Sequence, residues 1–533
     1  MSEEDRPQPR RRLLAVARKS IRGQLIVPIG AILGVSAMLL LLSWGTEAWL
    51  ISGEFAWAEW FWVDDAETAQ TIILAVLELL AGVFAISITV VAIIVQLSAT
   101  RYTSRVVDLF LADRFNTLVL FAYVVPLVYG FWLANSISPE SYARVSMTVF
   151  VVLATLSLVV VIPYFNHVFH FLQPSNIINK IESSIEQSLN RTLARPETYA
   201  RGRREVTNSL QQLSDIALSS VVQSDIALAL QSLHSMRATA LFYLEIKHRL
   251  HPGWFDIGSG HIMGLSEEMR AEIVNNRTWV EMEIFKHYEI AFTSSLRKVR
   301  DVSSCVAMNL RRIGTMGAAT GADQTLEFVI KGFNTLIMYA LSERDIRSAV
   351  HVFYQYRILA ESVLERADMV EKIAEHFKYY GLNSQRRRIF FIMDAVAYDL
   401  RVLIESAFGR FPDTVEPLLR IFLELDQVAQ TEAEVAFLKG VRKSQAMLGG
   451  FFIRHGEFGL AERVMADMRG EDKEFLRSVK RDLYSVTSKE FWEIEDRGVS
   501  FYYVAEDQRQ SMEDFFAWLL DESPPRELEA AGR

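Results

Sequence analysis

Four long runs of apolar residues without charge occupy the first third of the chain, and only Glu78 interrupts one of them. Each run is about as long as a helix needs to cross the ~30 Å hydrocarbon core of a bilayer at ~1.5 Å per residue. The pattern therefore predicts four transmembrane helices, at about residues 24–44, 70–98, 117–135 and 145–165. Together they make a predicted transmembrane domain over residues 24–173.

After Pro174, charged residues become frequent and the apolar positions take a helical spacing. One such stripe consists of Ile346, Val350, Phe353, Ala360 and Leu364. No alternating run long enough to require a sheet occurs, so we expect an all-α protein with a helical cytoplasmic domain over 174–523 and a disordered tail over 524–533. Residues 457–468 resemble one helix of a helical-hairpin repeat, but the sequence shows no fixed period and leaves a repeat array open.

Lysine and arginine are unevenly distributed between the segments that flank the apolar runs. Residues 1–23 hold seven basic residues and residues 45–67 hold none, whereas the second loop has three arginines and the third loop has one. Because positive charge is enriched on the cytoplasmic side of a membrane, this alternation places both termini in the cytoplasm. The tryptophans clustered around residues 45–67 are typical of an interfacial aromatic belt.

Composition excludes several classes of function. The net charge is −9, without the concentrated basic surface that nucleic-acid binding needs. The single cysteine, Cys305, excludes an intramolecular disulfide and a cysteine-based zinc cluster. No phosphate-binding loop, zinc-protease, nucleophile-elbow or kinase motif is present. We therefore expect neither enzyme activity nor a cofactor.

The second apolar run and its surroundings carry a series of motifs. They occupy residues 65–72, 81–89, 96–105 and 109–114. In these motifs the chain resembles an uncharacterised bacterial "predicted membrane protein" family, a domain of unknown function with a four-helix membrane region; here Thr103-Ser104 stands where that family usually has Ser-Pro. The resemblance implies a protein of the bacterial inner membrane and implies no activity. The cytoplasmic turn of the family corresponds to Arg101, Tyr102, Arg105, Asp113 and Arg114.

Small and polar residues follow one face of the second run at alternating spacings of four and three. We call Glu78, Gly82, Ala85, Thr89, Ala92 and Gln96 the polar stripe. One interpretation is close packing between helices, with Thr89 and Gln96 hydrogen-bonding across the interface. The other is a water-filled path lined by several subunits. Glu78 bears on both, because a carboxylate about 10 Å below the outer surface, at ~1.5 Å per residue, is costly against lipid.

Two functions agree with these patterns. The first is an oligomeric ion channel or transporter whose second helix lines the path, with the lipid bilayer and further copies of the chain as partners. The alternative is a membrane-anchored helical scaffold or sensor that binds a cytoplasmic protein. His167 and His170 have the i,i+3 spacing of paired metal ligands, but no Cys, Asp or Glu lies within the same turn. The sequence therefore predicts no metal site and leaves this pair as a weak candidate.

Overall fold

The computed structural model describes residues 27–50, 65–101, 110, 113–137, 143–171, 173–257, 266–426, 438–490 and 500–520. Every regular element in these residues is a helix, which confirms the prediction of an all-α protein. The chain divides into two compact units, Met1–Ile177 and Ile178–Arg533. The basic segment 1–23 and the tail 524–533, which was predicted to be disordered, lie outside the described residues.

Four helices form the first unit: α1 (Val27–Leu50), α2 (Ala66–Arg101), α3 (Arg114–Ser136) and α4 (Arg144–Phe171). The helices α3 and α4 pack against each other, and α1 and α2 each pack against both of them. The core of this unit includes Ala69, Ile73, Tyr129, Leu133 and Phe150, all almost fully buried. Large apolar side chains such as Ile86, Phe131 and Ile162 lie on the outside, where a lipid environment would accommodate them.

Three helices among the described residues are long and apolar enough to cross a membrane, not the four that we predicted. They are Ala66–Leu97, Arg114–Ser136 and Arg144–His170. The first predicted span falls in α1, whose described apolar part is the shorter segment Ala31–Thr46. At ~1.5 Å per residue that segment rises about 24 Å, less than the ~30 Å of a hydrocarbon core.

The second unit consists of helices, most of which follow one another after connections of three to five residues. They are α5 (Pro174–Ala194), α6 (Tyr199–Val222), α7 (Ile226–Ile246), α8 (Glu267–Asn275), α9 (Trp279–Ser295), α10 (Arg300–Ala319), α11 (Asp323–Ser342), α12 (Ile346–Glu361), α13 (Ala367–Arg386), α14 (Phe390–Ala407), α15 (Pro412–Leu423), α16 (Lys439–Arg454), α17 (Phe458–Met468), α18 (Lys473–Ser485) and α19 (Arg509–Leu519). Helix α5 begins just before the division between the units and continues into the second.

Pairs of these helices form a stack of hairpins. The second helices of the hairpins α6–α7, α9–α10, α11–α12 and α13–α14 pack side by side in this order, and the series continues through α16 and α19. From α9 onward the first helices begin at Trp279, Asp323, Ala367, Pro412 and Phe458, which lie 44, 44, 45 and 46 residues apart. The unit is therefore an α-helical solenoid in which each hairpin contacts its neighbours. The repeat array that the sequence left open is present, and residues 457–468 belong to one of its first helices.

Most of the described short turns within the solenoid contain a residue with positive φ. Residues with positive φ stand at the ends of its helices: Ser224, Arg277, Arg297, Gly321, Arg344, Arg388, Gly409 and Gly456. A left-handed residue after the last helical turn lets the chain reverse direction within a few residues. Asp225 and Asp345 then cap the following helices, each accepting a hydrogen bond from a backbone N–H in the first turn. Repetition of this turn keeps consecutive helices antiparallel.

Candidate functional site

All six residues of the polar stripe lie on the exposed side of α2. The buried residues of the helix, among them Ala69, Leu80 and Ser87, lie about 100–180° around the axis from Glu78 at about 100° per residue. A Cβ added at Gly82 would meet nothing within 4 Å. The stripe therefore faces away from the other described helices of its own unit, and both interpretations of it require contact with groups outside these helices.

The same exposed face continues toward the start of α2. Glu67 and Thr71 are exposed and lie within about 20° of Glu78 in helical projection. Thr71 Oγ1 donates to the carbonyl of Glu67 at 2.9 Å, and Thr89 Oγ1 donates to that of Ala85 at 2.8 Å. The threonine hydroxyl protons are thus used within the helix, while their oxygens remain on the outer face. The polar stripe read from the sequence began at Glu78, so it left out Glu67, which precedes the predicted span over 70–98, and Thr71, which lies at the start of that span.

Glu78 is exposed on this face, one third of the way along α2. No hydrogen bond or ion pair joins its carboxylate to another of the described residues. A charged side chain in the middle of a membrane helix costs about 2.5–3.5 kcal/mol on insertion scales. Without an ion pair to any described residue of its unit, this carboxylate is the feature of the stripe that lipid accommodates least.

The cytoplasmic turn is described only in part. Arg101 ends α2, whereas Tyr102 and Arg105 lie outside the described residues. Asp113 is the N-cap of α3, and its carboxylate accepts from the backbone N–H of Phe115 at 2.8 Å. Arg114 follows as the exposed first residue of that helix. Asp113 thus has a structural role at the helix start, where a carboxylate stabilises the free N–H groups and the helix dipole.

The two histidines that were weak metal candidates, His167 and His170, have different surroundings in the structure. His167 lies beside Asp113, with Nε2 3.5 Å from Oδ1, and its ring packs on Phe115 with centroids 4.5 Å apart. His170 is exposed, and its carbonyl accepts from the side chain of Asn176 at 2.6 Å. Within the described part of the chain no three His, Cys, Asp or Glu residues are grouped as metal ligands would be. The arrangement is a histidine–carboxylate pair at the end of the bundle.

A buried hydroxyl cluster joins three helices of the first unit. Ser43 of α1, Tyr129 of α3 and Ser146 of α4 are all at most 5% exposed. Ser43 Oγ is 2.9 Å from Tyr129 Oη, and Ser146 Oγ donates to Ser43 Oγ at 3.0 Å. Hydrogen bonds between helices satisfy polar groups that would otherwise have no partner in an apolar interior. The sequence analysis missed these residues, because lone hydroxyls in apolar runs carry no spacing signal.

Pro126 lies inside α3 and cannot donate a backbone hydrogen bond to the carbonyl of Ala122. Ser157 of α4 has its Oγ 2.6 Å from that carbonyl oxygen. The hydroxyl therefore lies where the proline leaves an acceptor without its usual helical donor. This contact ties α3 to α4 in the middle of both apolar helices.

Comparison with known proteins identifies a family that matches the first part of the chain. Residues 23–227 match the family model described as "Predicted membrane protein (DUF2254)". No curated protein matches the chain. Among solved structures, one described as "Circular tandem repeat protein with novel repeat topology and enhanced subunit contact surfaces" is 13% identical, with 93% of this chain and 97% of that chain covered, but its TM-score of 0.25 carries no argument about the fold. The family resemblance read from the motifs is thus confirmed: residues 23–227 match this predicted membrane protein family of unknown function, and the match together with the three apolar helices supports a membrane protein.

Proposed function

We propose that the protein is a homo-oligomer of the bacterial inner membrane in which the exposed face of α2 lines a path for cations. The observation that carries this proposal is the exposure of Glu78 and of the whole polar stripe on the side of α2 opposite its buried residues. Contact with further copies and with water between them removes the cost of presenting Glu78 to lipid. A closed ring of identical subunits brings the same face of each α2 toward one axis.

Replacing Glu78 with Gln tests the path. The change keeps size and hydrogen-bonding capacity but removes the fixed negative charge. An attraction of about 1 kcal/mol, the Coulomb energy at ~4 Å in bulk water, corresponds to about a fivefold preference, so cation-over-anion selectivity should fall severalfold in reconstituted liposomes. Thr89→Leu should lower the flux by narrowing the path.

Leu79→Ala is the matched control for these variants. Leu79 is next to Glu78 and exposed but lies about 100° around the helix, so its truncation should leave selectivity unchanged. Melting temperatures measured on the same samples separate altered conduction from altered folding. Absence of ion flux from well-folded wild-type protein, over a range of voltages and pH values, would contradict the path.

The proposed orientation has both termini in the cytoplasm, as the distribution of basic residues favours. Native Cys305 cannot report on it, because the residue is buried and burial raises the pKa of its thiol to about 12. In a Cys305→Ser background, Ser52→Cys and Ser138→Cys should react with an impermeant maleimide added to spheroplasts. Thr320→Cys, at an exposed position, should react only after lysis. Labelling of the Thr320→Cys variant in intact spheroplasts would contradict the proposed orientation.

A second candidate function is a membrane-anchored scaffold, and the solenoid favours it. Stacked helical hairpins present an extended surface that can bind a protein partner without catalytic residues. The two candidates are compatible, since one concerns α2 and the other concerns the second unit. They are distinguished by experiment: a scaffold retains partner binding when Glu78→Gln is introduced, and its role does not require ion flux.

A further inference from the structure

Arginine recurs at one register position in the second helices of the solenoid. In α7, α10, α12 and α14 the residue eleven positions after the first helical residue is arginine; these residues are Arg237, Arg311, Arg357 and Arg401. Because these four helices pack side by side in this order, the shared register places the arginines in a row across the stack. We call this set the arginine row.

Each of the first three arginines donates a hydrogen bond to the next helix. The acceptor is in every case the residue nine positions after the start of that helix. The bonds join Arg237 to Asn309 at 2.9 Å, Arg311 to Gln355 at 2.8 Å and Arg357 to Asp399 at 3.0 Å. The row is therefore a repeated contact that fixes the register of neighbouring hairpins, and it also sets where positive charge accumulates.

The charge of the row is balanced at its C-terminal end. Arg357 has carboxylates on two sides, from Asp399 and from Glu361. Arg401 forms an ion pair with Glu405 at 2.6 Å. Both arginines are buried, so carboxylates at these distances compensate the cost of removing a guanidinium group from water.

At the N-terminal end the acceptors are neutral amides. Asn309 and Gln355 carry no charge, and no ion pair joins Arg237, Arg311 or the adjacent exposed Arg312 to a carboxylate among the described residues. The pKa of nearby His234 is lowered by burial and by the charges of Arg237 and Arg312. A positive potential around the imidazole disfavours its protonated form.

An acidic side chain of α5, Glu182, bonds to Ser235, two residues before Arg237. Its carboxylate accepts from Ser235 Oγ at 2.6 Å, whereas the guanidinium group of Arg237 donates its hydrogen bond to Asn309. Arg237 and Arg311 are half-buried, while Arg312 is exposed. Half-buried guanidinium groups without counter-charge are sites where an incoming anion gains most, because a carboxylate can accept two parallel hydrogen bonds from one arginine.

We propose that the surface formed by Arg237, Arg311 and Arg312 binds an acidic segment of a partner protein. These arginines stand on two neighbouring helices, whose axes are about 8–10 Å apart in packed helices. An extended peptide advances ~3.3 Å per residue, so acidic side chains about three residues apart match the spacing of the two helices. The inference rests on the scaffold function and is independent of the ion path.

The test uses the full-length chain in a neutral detergent and a fluorescein-labelled hexaglutamate peptide, followed by fluorescence anisotropy at low salt. The double variant Arg311→Gln/Arg312→Gln should bind the peptide about tenfold or more weakly, the loss expected for two charge-assisted contacts. Arg312→Gln alone removes only an exposed side chain, so it should fold normally and still weaken binding severalfold. Arg347→Gln, an exposed arginine of α12, is the matched control and should change binding less than twofold.

Equal binding by wild type and the double variant would overturn the surface, and it would leave a scaffold acting through another part of the solenoid. Complete displacement of the peptide by inorganic phosphate at the same total charge would also overturn it, since the site would then take a free anion. Equal affinity of the wild type for hexaglutamine and hexaglutamate would contradict the electrostatic basis of the proposed binding. Retention of hexaglutamate binding by the Glu78→Gln variant is expected, because that change leaves all three arginines in place.

Discussion

Replacing Arg442 with methionine is expected to lower the free energy of unfolding by about 3–5 kcal/mol at pH 7, the range for removing one partner of a buried ion pair. Arg442 of α16 is 6% exposed. Its guanidinium group binds Glu471 at 2.6 Å and Asp467 at 3.0 Å, and it also contacts Asp426. The methionine would fill much of the same volume but leave three carboxylates close together without a cation.

The pH dependence of this defect has a defined sign. Burial, together with the neighbouring Asp467, raises the pKa of Asp426 to about 7, against the attraction of Arg442. A carboxyl whose pKa is higher in the folded state stabilises the fold when protonated, and this contribution is lost as pH rises from about 4 toward 7. Acidification from pH 7 to pH 5 should therefore shrink the difference between wild type and Arg442→Met, because the carboxylates that need the cation become neutral.

Arg420→Met provides the control for an exposed ion pair. Arg420 binds Glu371 at 2.6 Å, but its side chain is 58% exposed, and such pairs contribute at most about 1 kcal/mol. Thermal and denaturant unfolding of the full chain in detergent, followed by far-UV circular dichroism at pH 5 and pH 7, measures both variants. Equal losses for Arg442→Met and Arg420→Met would contradict the importance of burial.

The membrane helices were predictable because the requirement they satisfy is local. A run that is apolar and long enough can be recognised without knowing its neighbours, and three of the four predicted runs meet that condition in the structure. The orientation of each helix around its axis could not be predicted in the same way. Lipid and protein interior are both apolar, so Ile73, which is buried, and Ile86, which is exposed, look alike in sequence.

The solenoid was harder to recognise than its helices. Amphipathic stripes predict single helices, but buried positions accept many apolar residues, so equivalent hairpins need share few identical residues. The arginines of the row are among the few positions that do recur, in four helices. The segment containing α8 separates α7 from α9 and interrupts the spacing near the start of the array. A period of 44 to 46 residues becomes evident only when helix starts are known.

The candidate site was likewise predictable only in part. The polar stripe was predictable as a face of a helix, because its 4-3 spacing is a property of the α-helix. That this face is outward depends on the packing of α2 against α3 and α4, which no residue of α2 encodes alone. The contact of Ser157 with the carbonyl left free by Pro126 depends on two helices meeting at one level, and no local pattern signals it.

Two glycines of the membrane unit separate the fold of one chain from its assembly. A Cβ at Gly130 of α3 would lie 2.9 Å from Leu77 Cδ2 and closer still to the buried ring of Phe150. Gly130→Leu should therefore destabilise the four-helix unit by about 1–3 kcal/mol or more through overpacking. At Gly82, where a Cβ meets nothing, leucine should leave the fold of the single chain unchanged.

The effect of Gly82→Leu is instead expected in the assembly. If the polar stripe faces further copies of the chain, a large side chain at Gly82 pushes neighbouring helices apart, and the oligomer should shift toward single chains. Size-exclusion chromatography with light scattering in detergent, with melting temperature measured on the same samples, gives both readouts. Gly130→Leu should lower the melting temperature, whereas Gly82→Leu should lower the molecular mass. An unchanged mass for Gly82→Leu would mean that the stripe is not a packing surface between subunits, and an unchanged ion flux as well would leave the path along α2 without its basis.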